Sequence, residues 1–380
     1  MWICKEISGF AEKFQFVPMI VFSKGQGVLM VDYLKEEEKF WCRNLWEEAF
    51  PEDSKEFVNY YFKEKLKDNR ILALKEGEKI DAMIHLNPYL LNVRNLQWNV
   101  DYLVGVATDK KKRHRGYMSQ LLHRMMADMS QEKVPFCFLM PADEAIYRPF
   151  GFTFIFRKPI FKPGKKWGLE GQKVVSWTEF IQKEDITSKV AWWMNDWLKS
   201  RYEVYGIRDK TYVERLMDEI ASEDGCFELL YEGDSLVAMR SFWGREKREE
   251  RLLYGNSPYV EEEKELGKPS IMARIISAES FVRVIRLRNL KNGVYKKVIP
   301  LSLTDPLIPK NQGKWLWHLT GETSWLEKIS EDVDRNGEEI LALTIEEFTS
   351  WLFGYDVPLG AACYKDLVEC IDGVFLDEIV

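Results

Sequence analysis

Apolar side chains recur at helical spacing across residues 36–68, with Phe40, Leu45, Trp46 and Phe50 before Pro51 and Phe57, Tyr60, Tyr61 and Leu66 after it. The period then shortens. Residues 71–74 and 80–93 read as a hairpin turning at Glu76-Gly77-Glu78, and "QWNVDYLVGVAT" reads as a third strand. Leu121, Leu122, Met125 and Met126 predict a helix over 117–130. "VPFCFLM" is apolar without alternation, as in a strand buried on both faces. A short helix in "ADEAIYRPFGF", stopped at Pro149, and a last strand "TFIF" follow. Two helices, three strands, then helix, strand, helix and strand describe a mixed α/β module with a βαβ unit behind an antiparallel front.

Gly, Pro and Lys cluster in "KPGKKWGLEGQK" (162–173) and predict a boundary. Beyond it, "SKVAWWMNDWLKSRY" and "KTYVERLMDEIASE" read as helices and "FELLYEGDSLVAMRSFWG" as a hairpin turning at Gly233-Asp234. Another strand, "RLLYGNSPYV", precedes the acidic "VEEEKELGKPSIM". A third block is expected to open on a helix in "IMARIISAESFVRVI". Four strands follow ("GVYKKVIPLSL", "GKWLWHLTG", "ETSWLEKI", "EILALTI"), and then a helix in "TIEEFTSWLFG". Residues 1–29 fit this plan poorly and are expected to be an extension ahead of a native start at Met30.

Composition narrows the class. With 380 residues, 46% of them hydrophobic, and 14 Trp, the chain can build more than one core. A net charge of −7 disfavours a nucleic-acid partner. No apolar run approaches the roughly 18–20 residues that span a bilayer, so no membrane association is expected. The six cysteines are scattered without a CxxC pair, which fits free thiols in a reducing cytoplasm. His85, His123 and His318 have no spacing that would build a metal site, and no metal is expected.

The chemistry concentrates where the third strand meets its helix. Val106, Ala107, Thr108 and Asp109 lead through three lysines into Arg113, His114, Arg115, Gly116, Tyr117, Met118 and Ser119. A helix N-terminus offers unsatisfied N–H groups and partial positive charge, and glycine lets the backbone approach an anion closely. Two arginines add donors, so a diphosphate fits better than one carboxylate. The neighbouring alternative is a solvated basic loop. Neither GxxxxGK[ST] nor GxGxxG is present.

"GVATDKKKRHRGYM" resembles motif A of the GNAT acetyltransferases, with Arg113 and Gly116 on its pattern, Met118 in place of the usual Gly or Ala, and Lys110 where Pro is common. With "PADEAIYRPFGF" and the ending "VFLDEIV", the chain resembles the Eis-like (enhanced intracellular survival) branch from about Met30 to Val380. That resemblance implies an α/β (α+β) fold of tandem GNAT modules followed by a sterol-carrier-protein-like domain. The catalytic module would span 30–165, a degenerate one 166–270, and the last domain 271–380. It also implies acetyl-CoA as co-substrate, a direct ternary mechanism, an amine acceptor (aminoglycoside, polyamine or lysine) and a homo-oligomer, often a hexamer. Coenzyme contacts would fall on Val106, Ala107, Thr108, Arg113, His114, Arg115, Gly116, Tyr117, Met118, Ser119, Ala142 and Asp143. Tyr147 would be the general acid and the Val380 carboxylate the base. A carboxylate of pKa ~3.5 facing an ammonium near ~10 is mismatched by roughly 6 units, so it would act through water or by orienting the amine. Glu37, Glu38, Glu47 and Glu48 are candidates to attract a cationic acceptor or form a solvated helix face. A different class remains open, a lipid- or small-ligand-binding protein with the GNAT modules as scaffold.

Overall fold

The computed structural model describes residues 20–21, 29–169, 172–176, 186–244, 248–265, 267–288, 295–329 and 339–378. Ile20–Val21 (β1), Leu29–Tyr33 (β2), Arg70–Glu76 (β3), Lys79–Val93 (β4) and Leu96–Thr108 (β5) pair in succession as antiparallel neighbours. Arg43–Ala49 (α1) and Lys55–Glu64 (α2) cover one face, with Ser54 capping α2 by accepting from the Phe57 N–H. Tyr117–Gln131 (α3) covers the other face through Leu121, Leu122, Met125 and Met126. Phe136–Leu139 (β6), whose four residues are all buried, joins β5 in parallel, as its unbroken apolar run implied. Glu144–Tyr147 (α4), Thr153–Arg157 (β7) and Phe161–Pro163 (β8) complete this stretch.

Gln172–Ser176 (β9), Ile186–Lys199 (α5), Val204–Gly206 (β10), Lys210–Ser222 (α6), Cys226–Glu232 (β11), Ser235–Trp243 (β12), Glu249–Gly255 (β13) and Val260–Glu262 (β14) follow. The second sheet has the order β13-β12-β11-β9. It repeats the helix and strand order of the first, but after β13 the chain turns directly into β14, where the first module places its basic loop and long helix.

The helix expected over 271–285 is instead a strand, Pro269–Ile275 (β15), followed by the one-turn helix Ala278–Phe281 (α7). β15 inserts between β6 and β7, antiparallel to both. Ile271 to Ile275 is buried throughout, and a run buried on every side carries no periodicity to separate helix from strand. Arg274 within it has no exposed side chain and bonds Asp305 at 2.7 Å. The C-terminal block adds Arg286–Leu287 (β16), Lys296–Thr304 (β17), Gly313–Thr320 (β18), Ser324–Lys328 (β19), Leu341–Thr344 (β20) and Ile345–Leu352 (α8). Its sheet runs β19-β18-β17-β20, and Trp317 packs edge-on against Trp351 and Phe348 of α8 at 5.8 and 5.7 Å. Val368–Glu369 (β21) and Val374–Phe375 (β22) close the described chain. β22 pairs in parallel with β10, which lies antiparallel on the far half of β4, so the tail is stitched to the first sheet. Among the described residues no helix is long and apolar enough to cross a membrane.

Arg94 ties the three parts together. Its guanidinium donates to the Glu203 carboxylate at 2.7 Å, and to the carbonyls of Val284, Glu369 and Cys370 at 2.9, 2.8 and 2.5 Å. Replacing it by Met orphans those three carbonyls in a nearly dry site. Arg94→Met is expected to cost about 3–5 kcal/mol, read as a lower urea midpoint, whereas Lys210→Met, on an exposed i,i+4 pair with Glu214, should leave the stability within roughly 0.5 kcal/mol of wild type.

Candidate functional site

The site is built on a defect in β5. His85 lies opposite Val104 but Met83 opposite Ala107, so β5 carries an extra residue there. Gly105 sits in this bulge at φ +57°, and a Cβ on it would come within 2.4 Å of Trp46 Cζ3 and 3.3 Å of His85 Cδ2. Only glycine satisfies both the backbone angle and the packing. Beyond the bulge, β5 and β6 diverge: their pairing is confined to Tyr102 opposite Phe138. The edge of β5 from Val106 to Thr108 therefore has backbone groups facing a gap, available to an extended ligand that carries amides.

At the end of that edge the basic loop turns into α3. Lys110–Lys112 form a short 3-10 turn capped by Asp109, which accepts from the Lys111 N–H at 2.8 Å. Lys112 bonds the buried Asp81 at 2.7 Å, and the Asp109 N–H donates to the Asp81 carbonyl. The Lys111 N–H, with Lys79, holds the Asp109 carboxyl below its usual range. His114 and Gly116 both have positive φ, +62° and +76°. This reversal exposes Arg113, His114, Arg115 and Gly116 and aims the first-turn N–H groups of Tyr117, Met118 and Ser119 at solvent. A Cβ on Gly116 would meet nothing within 4 Å. Lys110 and Lys111 are exposed and Lys112 partly so, which leaves a cationic mouth at a helix N-terminus.

Tyr147 closes the same side. Buried on α4, it packs on Phe152 at 6.0 Å and shares one hydrophobic cluster with Val106, Tyr117 and Met118. Burial pushes its phenol up to about 12, so it carries its proton across the neutral range. Ala142 and Asp143 are exposed just before it, and Asp143 caps α4 through the Ala145 N–H at 2.9 Å. The structure thus brings β5, the basic loop and Tyr147 to one side of the sheet. Val380 lies outside the described residues.

The opposite face holds a cavity of about 270 Å³, lined among others by Lys65, Asp68, Asn87, Tyr89, Asp209, Glu219 and Glu378. Tyr89 connects it to the strand gap, since its ring lies 5.9 Å from Tyr102 and 6.0 Å from Phe138. Four carboxylates and two cations, Lys65 and Arg215, line it, giving an acidic wall. None of Glu37, Glu38, Glu47 or Glu48 is among its lining residues. Glu38 is paired with Lys75 at 2.6 Å and Glu47 with Arg43 at 2.8 Å.

The acidic wall comes from parts of the chain far apart in sequence. The fully buried Arg208 bonds Asp377 at 2.9 Å and Glu378 at 2.5 Å. Tyr254 donates to Asp377, Tyr212 to Glu378 at 3.1 Å, and Arg251 to the Asp377 carbonyl at 3.0 Å. The Glu378 carbonyl accepts from Tyr102 at 3.2 Å, the residue at which β5 leaves β6. These partners lie over a hundred residues from the tail, and pattern reading did not find them. The one local signal was an acidic pair inside the apolar "VFLDEIV". A second cavity, of about 400 Å³ at Arg201, Gly255 and Ser257, shares none of these residues.

Comparison with known proteins agrees with this anatomy. The acetyltransferase (GNAT) domain family matches residues 30–155 and the sterol carrier protein domain family residues 281–367. The chain is thus an acyltransferase enzyme with a GNAT acetyltransferase domain and a C-terminal sterol carrier protein domain. A conserved Enterococcus faecalis protein of unknown function superimposes with a TM-score of 0.70 at 16% identity, over 91% of this chain and all of that one. A GCN5-related N-acetyltransferase from Anabaena variabilis gives 0.66 at 14% identity, covering 90% of this chain and 94% of that one. Eis1 from Mycobacterium abscessus gives 0.64 at 9% identity, covering 92% and 99%. At these identities the likeness is one of fold. No curated protein matches the sequence.

The two glycines make separable demands. Gly105→Val places carbon inside Trp46 at positive φ and is expected to cost about 3 kcal/mol or more. Gly116→Ala meets only the backbone strain, roughly 1 kcal/mol. Urea unfolding of both variants checks this, and equal losses would mean that the bulge does not depend on its packing.

Proposed function

We propose that the protein is an acetyl-CoA-dependent N-acetyltransferase that passes acetyl directly to a cationic amine, in the manner of the Eis-like branch. The parting of β5 and β6 carries this reading: past Tyr102 the two strands no longer pair, with the cationic mouth on one face of the sheet and the acidic cavity on the other. The residues fit the coenzyme. The free edge at Val106–Thr108 can pair with the amides of the pantetheine arm, and the N–H groups of Tyr117–Ser119 with Arg113 and Arg115 can receive the diphosphate. His114 and Gly116 supply the backbone reversal, and Ala142 and Asp143 flank the arm. Tyr147 gives its proton to the departing sulfur. The acidic cavity attracts an ammonium, and its volume, at the low end for ligand sites, favours a slender aliphatic amine over a multi-ring one. The tail, held by Arg208 as far as Glu378, leads toward the same cavity, where a carboxylate at Val380 would orient the amine rather than strip its proton.

A lipid-carrying role for the C-terminal domain gains no support from its interior, where Trp317, Trp351 and Phe348 fill the space between sheet and helix. A hexamer is an expectation of the resemblance alone, and a cytoplasmic location is an expectation of the scattered cysteines.

Calorimetry with acetyl-CoA and turnover across polyamines, lysine peptides and aminoglycosides test the reading. Arg113→Glu should weaken acetyl-CoA binding, and Gly116→Val should weaken it further. Tyr147→Phe should keep the affinity while turnover falls ~10²- to 10⁴-fold. Unchanged affinity in both loop variants would remove the diphosphate from this loop, and near-normal turnover without the phenol would leave Tyr147 a packing residue.

A further inference from the structure

The proposed transfer must release a proton that neither Tyr147 nor an orienting carboxylate accounts for. An ammonium acceptor and acetyl-CoA give an amide, free coenzyme thiol and one proton. The phenol supplies the thiol proton, so something beside the acceptor must take protons from its nitrogen.

Lys65, just past the end of α2, lines the acidic cavity with its Nζ over the Tyr89 ring, 5.8 Å from the centroid. Every carboxylate of the cavity wall that acts electrostatically on it is already held by an arginine. Asp68 is bonded by Arg215 at 2.7 Å, Glu378 by Arg208 at 2.5 Å, and Glu219 faces Arg251 at 3.5 Å. Among the described residues the Lys65 ammonium has no hydrogen-bond or ion-pair partner. Lys65 is half-buried, its ammonium lies against the Tyr89 ring, and Glu219, Glu378 and Asp68 act on it across the cavity without bonding it. That setting suits an amine that must lose and regain a proton.

We propose that Lys65 is the catalytic base of the transfer, accepting the proton that the acceptor ammonium must lose before its nitrogen can attack the thioester carbonyl. This inference rests on the acetyltransferase reading. With its lone pair freed, the acceptor N–C bond forms, the C–S bond breaks, the sulfur leaves with the Tyr147 proton, and the second proton of the nitrogen restores the Tyr147 phenol. Lys65 passes the nitrogen's proton to solvent through the open side of the cavity. Burial lowers the Lys65 pKa, while Glu219, Glu378 and Asp68 oppose that shift and Arg215 adds to it. The match to an aliphatic ammonium is far closer than a carboxylate offers. Proton transfer between near-matched amines avoids the roughly 6-unit penalty of a carboxylate base. The sign follows from the direction of the shift: a lysine with a lowered pKa becomes neutral, and able to act, at lower pH than free lysine, so the rate rises with pH through that lowered value.

The experiment measures kcat/KM against pH with the amine that wild type turns over in a panel of spermidine, lysine peptides and kanamycin. Lys65→Met and Lys65→Arg are compared with wild type. Both variants should bind acetyl-CoA with wild-type affinity, because the diphosphate loop is on the other face. Both should lose ~10²- to 10⁴-fold in turnover and lose the wild-type acid limb. Arg keeps the charge and stem but cannot give up its proton, so its failure to rescue separates a base from a charged support. Rescue by Lys65→Arg, or an unchanged acid limb in Lys65→Met, would overturn the assignment. A wild type that acetylates no amine in the panel overturns the underlying reading and this inference with it, and that failure shows before any variant is made.

Discussion

The structure depends most on one buried arginine. Arg208, without exposed surface, holds Asp377 and Glu378 with separate nitrogens; Tyr254 and Tyr212 add donors to the two carboxylates, and Arg251 donates to the Asp377 carbonyl. Two carboxylates and two guanidinium groups in a dry interior are tolerable only when every member is partnered. The arrangement has one register. It fixes the end of the chain against β10 and brings the Glu378 carbonyl to Tyr102, where the first sheet splits. The second module, which has no counterpart of the basic loop, keeps a role as the clamp that seats the tail: Arg208, Tyr212, Arg251 and Tyr254 all come from it.

This clamp gives the two faces of the first sheet different duties. The face carrying α3 presents main-chain N–H groups and loose arginines, suited to an anion that arrives and leaves. The other face presents four carboxylates, three of them with an arginine beside them, and the ammonium of Lys65. Gly105 lies between, and Trp46 and His85 leave no room for a side chain there. The bulge is therefore supported from the face that carries α1 although the edge it frees leads to the basic loop.

Much of the fold was legible in the chain. The hairpin around Gly77, the helix behind Gly116 and the fully buried strand at Phe136–Leu139 all follow from local period and turn chemistry. The segment from Pro269 to Ile275 was misread because a run buried on both faces looks the same as a strand or a helix. Its identity was set by β6 and β7, more than a hundred residues earlier. The basic loop was visible because its residues are contiguous. The acidic cavity was not, since Lys65, Glu219 and Glu378 meet only through tertiary packing, and the acidic run around Glu37 and Glu47 drew attention to a surface where Glu38 and Glu47 are already paired.

The central claim is that the tail, seated by Arg208, completes the acceptor side of a site whose coenzyme side stands independently. Arg208→Met leaves Asp377 and Glu378 buried without their cation, a loss of roughly 3–5 kcal/mol that should release the tail. Hydrogen exchange over 374–378 reports the release, calorimetry reports acetyl-CoA affinity, and steady-state kinetics report amine acetylation. The account predicts faster exchange, acetyl-CoA affinity within about twofold of wild type, and turnover lower by ~10²-fold or more, as expected when a reacting group loses its placement. Full turnover with the tail demonstrably released would contradict it.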